Sequence, residues 1–239
     1  MGHVTVVGGC RAKAPSTGIL ASTLPVGSTV KLMEGGSAVE YLVVNQGIPS
    51  NSNLYDASCD GTWLLRKDIH SNRVWDGNNV NKYESSAINT WLNGDFFNTL
   101  GSVEQSAIKQ VKIPYRKNGG SGGTDQSGAN GLLCKIFLLS GPEVGLAGES
   151  YMPNDGAKLD YFNQNTGADS KRIAYLNGSA AHWQLRSPET DDTYHVWGVN
   201  TDGSGGTRVA NVSYSIRPAL VLPSNALFDG KTMLLKGVA

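Results

Sequence analysis

The sequence predicts an α+β fold, and three observations carry that expectation. Apolar residues recur at three- and four-residue spacing in the middle of the chain, from Ile88 to Val111, which is the period of a helix face. On either side they alternate with polar residues, the period of a half-buried strand. Small polar residues fill the gaps: 30 of 239 residues are Gly, nearly twice the usual ~7%, so turns are frequent and elements short. Two helix signals close together and set between strands do not read as a βαβ repeat.

The elements follow in order. Residues 1–27 are rich in Gly, Ala, Ser and Pro and end at Leu24-Pro25-Val26-Gly27. They read as a connecting arm, with a single domain over 28–239. Val30 and Leu32 alternate with polar residues, Gly35-Gly36 supplies a turn and 39–44 returns, which predicts a hairpin. A further strand is expected over 63–66. Ile88, Trp91, Leu92, Phe96 and Leu100 predict a first helix with a buried face, N-capped by Ser85 or Ser86 and stopped at Gly101. Ser102-Val103-Glu104-Gln105 reads as a capping box opening a second helix, with Val103, Ala107, Ile108 and Val111 on one face and Pro114 ending it. Residues 118–131 (NGGSGGTDQSGANG) read as a flexible loop. Residues 145–169 are irregular, and strands are expected over 182–185, 196–200, 207–211 and 213–222.

Composition excludes several classes. With 20 Lys+Arg against 20 Asp+Glu, the chain lacks the basic face a nucleic-acid binder needs to displace counterions. No stretch approaches the ~20 apolar residues of a membrane span. The segment Met1 to Val7 lacks a basic region followed by a long apolar run, so the expectation is synthesis in the cytoplasm without a signal peptide. Cys10, Cys59 and Cys134 are odd in number and form no C-x-x-C. They read as small buried thiols.

Catalytic signals are weak. The glycine run 119–124 lacks the Lys of a phosphate cradle, and 203–208 lacks the third Gly of a dinucleotide fingerprint. His3, His70, His182 and His195 show neither i,i+4 pairing nor zinc-site spacing to a Cys. Glu189-Thr190-Asp191-Asp192 lacks the spaced pattern of a calcium loop, and no G-x-S-x-G elbow occurs. No catalytic residue, metal or cofactor is therefore expected. Tyr194, His195, Trp197, Asn200, Asp202, Arg208, Asn211, Ser213 and Tyr214 instead crowd into one strand-and-turn region. Tyr, Trp and Arg supply contact area while Asn and Ser supply adaptable hydrogen bonds, which is a binding-surface composition. About half of any such alternating strand must face the core. Arg186 and Arg217, each beside a Pro, read as structural groups that satisfy loop carbonyls.

Several segments also carry a resemblance. LPVGSTVKL (24–32), YLVVNQGIP (41–49), YDASCDGTWLLRKD (55–68), AINTWLNGDFF (87–97), IKQVKIPY (108–115), IFLLSGPEV (136–144), WQLRSP (183–188) and SIRPALVLP (215–223) resemble a bacterial and prophage family of uncharacterised domains. That family is grouped with C-type lectin-like folds and the formylglycine-generating-enzyme superfamily. The resemblance implies two helices on small antiparallel sheets and a non-enzymatic receptor-binding or adhesin-like head, such as a prophage tail protein, diversified in its C-terminal region by a retroelement that mutates adenines. The implied partner is a protein or glycan receptor on a bacterial surface. The implied location is a virion or a cell surface, with attachment through the N-terminal arm or self-association. Carried onto this chain, the ligand-binding residues are Thr190, Asp191, Asp192, Tyr194, His195, Trp197, Asn200, Asp202, Arg208, Asn211, Ser213 and Tyr214, within a face spanning 183–217. The alternatives are a structural virion or cell-surface decoration without a ligand, and a formylglycine-generating-like enzyme. Met152-Pro153-Asn154 and Trp183-Gln184-Leu185 depart from lectin calcium motifs, and there is no Cys after Cys134 to supply the enzyme's pair.

Overall fold

A computed structural model describes residues 18–50 and 52–239. Ten strands form two five-stranded sheets: β1 (Thr29–Glu34), β2 (Ser37–Gln46), β3 (Thr62–Arg66), β4 (Ser71–Val74), β5 (Ile136–Phe137), β6 (Trp183–Pro188), β7 (His195–Val199), β8 (Gly205–Val209), β9 (Ser213–Ile216) and β10 (Ala219–Leu222). The first sheet has the order β5-β10-β3-β2-β1 and the second β8-β7-β6-β9-β4. Pairing is antiparallel except between β6 and β9. The expected hairpin is β1–β2, turned by Gly35 and Gly36 at φ +57° and +80°. Both turn positions need positive φ, and only Gly takes it without cost.

The chain passes between the two sheets four times: by short crossings through 67–70 after β3 and Arg217-Pro218 after β9, and by long excursions after β4 and after β5. The single strand expected over 213–222 is therefore two strands in different sheets. Pro218 has no N–H to donate to a ladder, so the break falls there. The central strand β6 is buried at all six positions. Around it Trp63, Trp75, Trp183, Tyr41, Tyr83 and Phe137 fill the interior.

The α+β, C-type lectin-like expectation is corrected. Among the described residues strands make up 37% and helices 16%, in many small sheets with one helix of real length. That helix runs through Ala87–Trp91, a π turn at Leu92–Phe96, and Phe97–Thr99. Ser86 Oγ caps it by accepting the Asn89 N–H at 3.2 Å. Ile88, Leu92 and Phe96 are buried as the spacing predicts. Trp91 is only half-buried; it lies under the Arg73 guanidinium at 3.7 Å and beside His70. The second helix, Ser102–Ala107, lasts six residues, and Gly101 rather than Ser102 is its N-cap. Glu104 does not close a capping box, because its carboxylate accepts the Met33 N–H of β1 at 2.9 Å. Val111 belongs to the strand Val111–Ile113, paired with Leu132–Cys134.

Two further expectations change. Gly18–Leu20 pairs with Ala226–Asp229, and Ala21 and Leu24 are buried, so 18–27 is built into the domain. Residues 1–17 of the expected arm, with His3 and Cys10, lie outside the described residues. The loop 118–131 is anchored rather than free. Tyr115–Lys117 pairs with Thr124–Gln126, Gly120 N–H donates to Asn81 Oδ1 at 3.0 Å, and Ser121 N–H donates to the Asp192 carbonyl at 2.6 Å. Its glycines serve tight geometry: a Cβ on Gly120 would fall 1.9 Å from the Glu189 carbonyl oxygen. Cys59 and Cys134 are buried thiols. Burial pushes Cys59 up to about 12 and raises Cys134 as well, so neither is a thiolate at neutral pH.

Candidate ligand-binding site

Register across the second sheet builds the site. Gln184 of β6 stands opposite Gly198 of β7, which stands opposite Gly206 of β8. Residues directly opposite share a face, so two of the three positions in this row carry no side chain. His182, two residues before Gln184, shares that face by the period of two. Its ring stacks on Tyr214 of β9 at 5.4 Å between centroids and 22° between planes. From the other side Arg208 extends toward Tyr214, 5.9 Å from the ring, and donates from Nη2 to Asn200 Oδ1 at 2.8 Å. Asn200 in turn donates to the Gly205 carbonyl at 2.9 Å. A Cβ on Gly206 would lie 2.9 Å from the Asn200 amide nitrogen. Glycine there lets Asn200 and Arg208 lie down over the sheet.

These side chains enclose a space of about 10 Å³, room for about one water. It adjoins a groove of about 280 Å³ that shares His182 and Tyr214 and is completed by Asn72, Leu176, Ala181 and Ser213, among others. Gln184 lies at the floor of the small space, 1% exposed, and neither its amide nitrogen nor its amide oxygen has a hydrogen-bond partner. Buried polar groups are normally paired, and leaving one unpaired costs about 1–3 kcal/mol. Its polar neighbours in β6 obey the rule: Arg186 and Ser187 are fully bonded. Gln184 is the exception in this strand. Burial lowers the His182 value and the nearby Arg208 charge adds to the effect, so the ring facing Tyr214 is neutral at pH 7.

The twelve residues expected to form one patch divide. Asn200, Arg208 and Tyr214 meet at the site just described, and exposed Ser213 lines its groove. His195 is opposite Val209 whereas Val196 is opposite Arg208, so His195 and Arg208 project from opposite faces. His195 instead gathers with Glu189, Asp192 and Tyr194. Asp192 Oδ1 accepts the N–H groups of Tyr194 and His195 at 2.9 and 2.8 Å, and its Oδ2 lies 2.5 Å from His195 Nδ1. Burial works against the Asp192 charge, yet those N–H groups and the His195 ring hold the carboxyl below the ordinary range. Glu189, Asp192 and His195 offer ligand atoms within 4.8 Å of one another, a spacing a cation would accept. The contacts they make are those of a loop clip, and nothing else there points to an ion.

The remaining candidates are corrected or placed elsewhere. Trp197 is 6% exposed and belongs to the core, with Nε1 directed at the Tyr151 carbonyl at 3.5 Å, although it also contributes to the lining of the small crevice. Thr190 donates its N–H to the same carbonyl, and Asp202 caps the β7–β8 turn by accepting from Ser204. Asp191 and Asn211 are exposed on separate turns. His182 and Gln184 were not among the sequence candidates. Gln184 alternates with Trp183 and Leu185 in β6, the ordinary pattern of a half-exposed strand, so the period gave no signal of its burial.

Fold and site together define a mostly β domain with a polar and aromatic crevice on one sheet face. A family described as Domain of unknown function (DUF6273) matches residues 60–224, and the chain belongs to that family. Its description names no lectin-like fold, prophage or retroelement. No curated protein and no solved structure matches the chain. Among the described residues no helix is long and apolar enough to cross a membrane.

Proposed function

We propose that this chain is a non-enzymatic receptor-binding or adhesin-like protein that seats part of its ligand over His182, Gln184, Asn200, Arg208 and Tyr214. The observation that carries this reading is Gln184, a buried amide with an unused donor and an unused acceptor facing a crevice. A ligand group that both donates and accepts, such as a hydroxyl, would satisfy it. The stacked His182 and Tyr214 rings offer an apolar wall, and Arg208 and Asn200 offer polar groups that can move aside. A bacterial surface glycan suits that pairing of ring face and amide better than a flat protein epitope, because the crevice is narrow and its polar atoms converge.

The test is retention on an array of bacterial surface polysaccharides, comparing the wild-type chain with Arg208→Ala/Tyr214→Ala. The reading predicts a bound polysaccharide whose affinity falls at least ~10-fold in the variant, as for a central anchor pair, while unfolding stays cooperative. Equal retention of both chains, or retention of neither, would overturn it.

A further inference from the structure

Among the described residues three arginines are buried: Arg172, Arg186 and Arg217, at 0%, 1% and 3% exposure. Two of them use all five N–H donors. Arg172 bonds the carbonyls of Gly203, Val144, Asn165 and Gly167 and the Asn165 side chain. Arg186 bonds the carbonyls of Pro114, Leu138 and Asp155 and holds Glu143 through both carboxylate oxygens, each at 2.6 Å. Arg217 differs. Its Nε and Nη2 donate to the Arg66 and Lys67 carbonyls at 3.1 and 2.9 Å, and its guanidinium rests 4.6 Å from the Trp183 ring centre. Its Nη1 has no partner, and it forms no ion pair among the described residues. A buried charge left so is costly unless something anionic completes it.

Arg217 also lines a groove of about 230 Å³ whose walls include Lys67, Lys171, Tyr161, Tyr175 and Asp68. Lys67 is engaged by Glu40 at 2.7 Å. Lys171 makes no ion pair among the described residues; its ammonium stands 5.5 Å from the Tyr161 ring centre. Tyr175 is 47% exposed. Asp68 is the one carboxylate among the lining residues, against three cations. We propose that this groove binds an oxyanion (a phosphate, sulfate or carboxylate group), held by Lys171 and by the unused edge of Arg217 between the Tyr161 and Tyr175 rings. Burial lowers the Arg217 guanidinium to about 10, with the Tyr161 and Asp68 oxygens offsetting only part, so it is still charged at neutral pH. The site is separate from the crevice over Gln184 and stands or falls on its own.

Backbone amide NMR of the chain, titrated with inorganic phosphate, sulfate or acetate against chloride at matched ionic strength, tests it. Saturable shifts at Lys171 and Tyr175 with at least one oxyanion, beyond those from chloride, are expected, and the anion that saturates names the class. Lys171→Gln should weaken that binding at least ~10-fold, by loss of one charge-assisted contact, and Arg208→Ala should leave it unchanged. Arg217 itself ties the two short inter-sheet crossings, so its removal would confound folding with binding. No saturable shift at these residues, or equal affinity in Lys171→Gln, would overturn the proposal.

Discussion

Six consecutive buried residues, Trp183 to Pro188, place three polar side chains out of bulk solvent, and each meets that demand differently. Arg186 is paired with Glu143 and bonded by three carbonyls. Removing one partner of such a pair leaves a buried charge, so Arg186→Met should cost about 3–5 kcal/mol in urea unfolding, while Arg186→Met/Glu143→Leu should recover much of the loss. A double variant as weak as the single one would mean the surrounding carbonyls, not the charge pair, set the stability. Ser187 donates to Asp155 at 2.8 Å. Burial pushes the Asp155 carboxyl up to about 7, although Arg186 and Ser187 favour its charged form. An unfolded Asp titrates near ~4, so between about pH 4 and about pH 7 the folded chain holds a proton that the unfolded chain has released. Linkage makes that contribution fully present below the unfolded value and lost as pH rises through the folded one. Asp155→Asn should therefore gain stability relative to wild type as pH rises from about 4 to about 7, and parallel pH profiles would contradict this.

At the scale of elements, local rules held where one rule acted alone. The β1–β2 hairpin and the helix face of Ile88, Leu92 and Phe96 were legible because period, turn residues and cap agreed. The second helix failed because tertiary contacts competed: Glu104 serves β1, and Val111 is claimed by a strand. Strand period alone also could not say which face of β7 is covered, so Trp197 and Arg208 were grouped although Trp197 is buried in the core and reaches only the lining of the crevice, whereas Arg208 lies across it. Glycine-rich turns misled in the same way, since composition reports freedom and not contact. Gly203 sits at φ +83°, and a Cβ there would fall 2.0 Å from the Asp169 carbonyl oxygen. Gly178, at φ +81°, has open space around it. Gly178→Ala should cost only the conformational penalty, about 1 kcal/mol. Gly203→Ala adds a steric clash and should cost clearly more, by equilibrium denaturation of both variants. Equal losses would show that the turn yields freely.

For the whole molecule, two short crossings link the sheets, and Arg217 bonds the Arg66 and Lys67 carbonyls where one crossing leaves β3 while lying in the other. The well-packed polar network around Arg186 lies at the centre, and one face of the second sheet carries the crevice. The central claim is that Gln184 is retained for a ligand rather than for the fold. Urea unfolding of wild type and Gln184→Leu, with and without the polysaccharide retained on the array, tests it most directly. Without ligand the variant should be at least as stable as wild type, because an apolar side chain replaces an unpaired buried amide. With ligand at ~100 times its dissociation constant, wild type should gain about 2.7 kcal/mol and the variant much less. A variant that is less stable alone, yet gains as much from the ligand as wild type, would contradict the account.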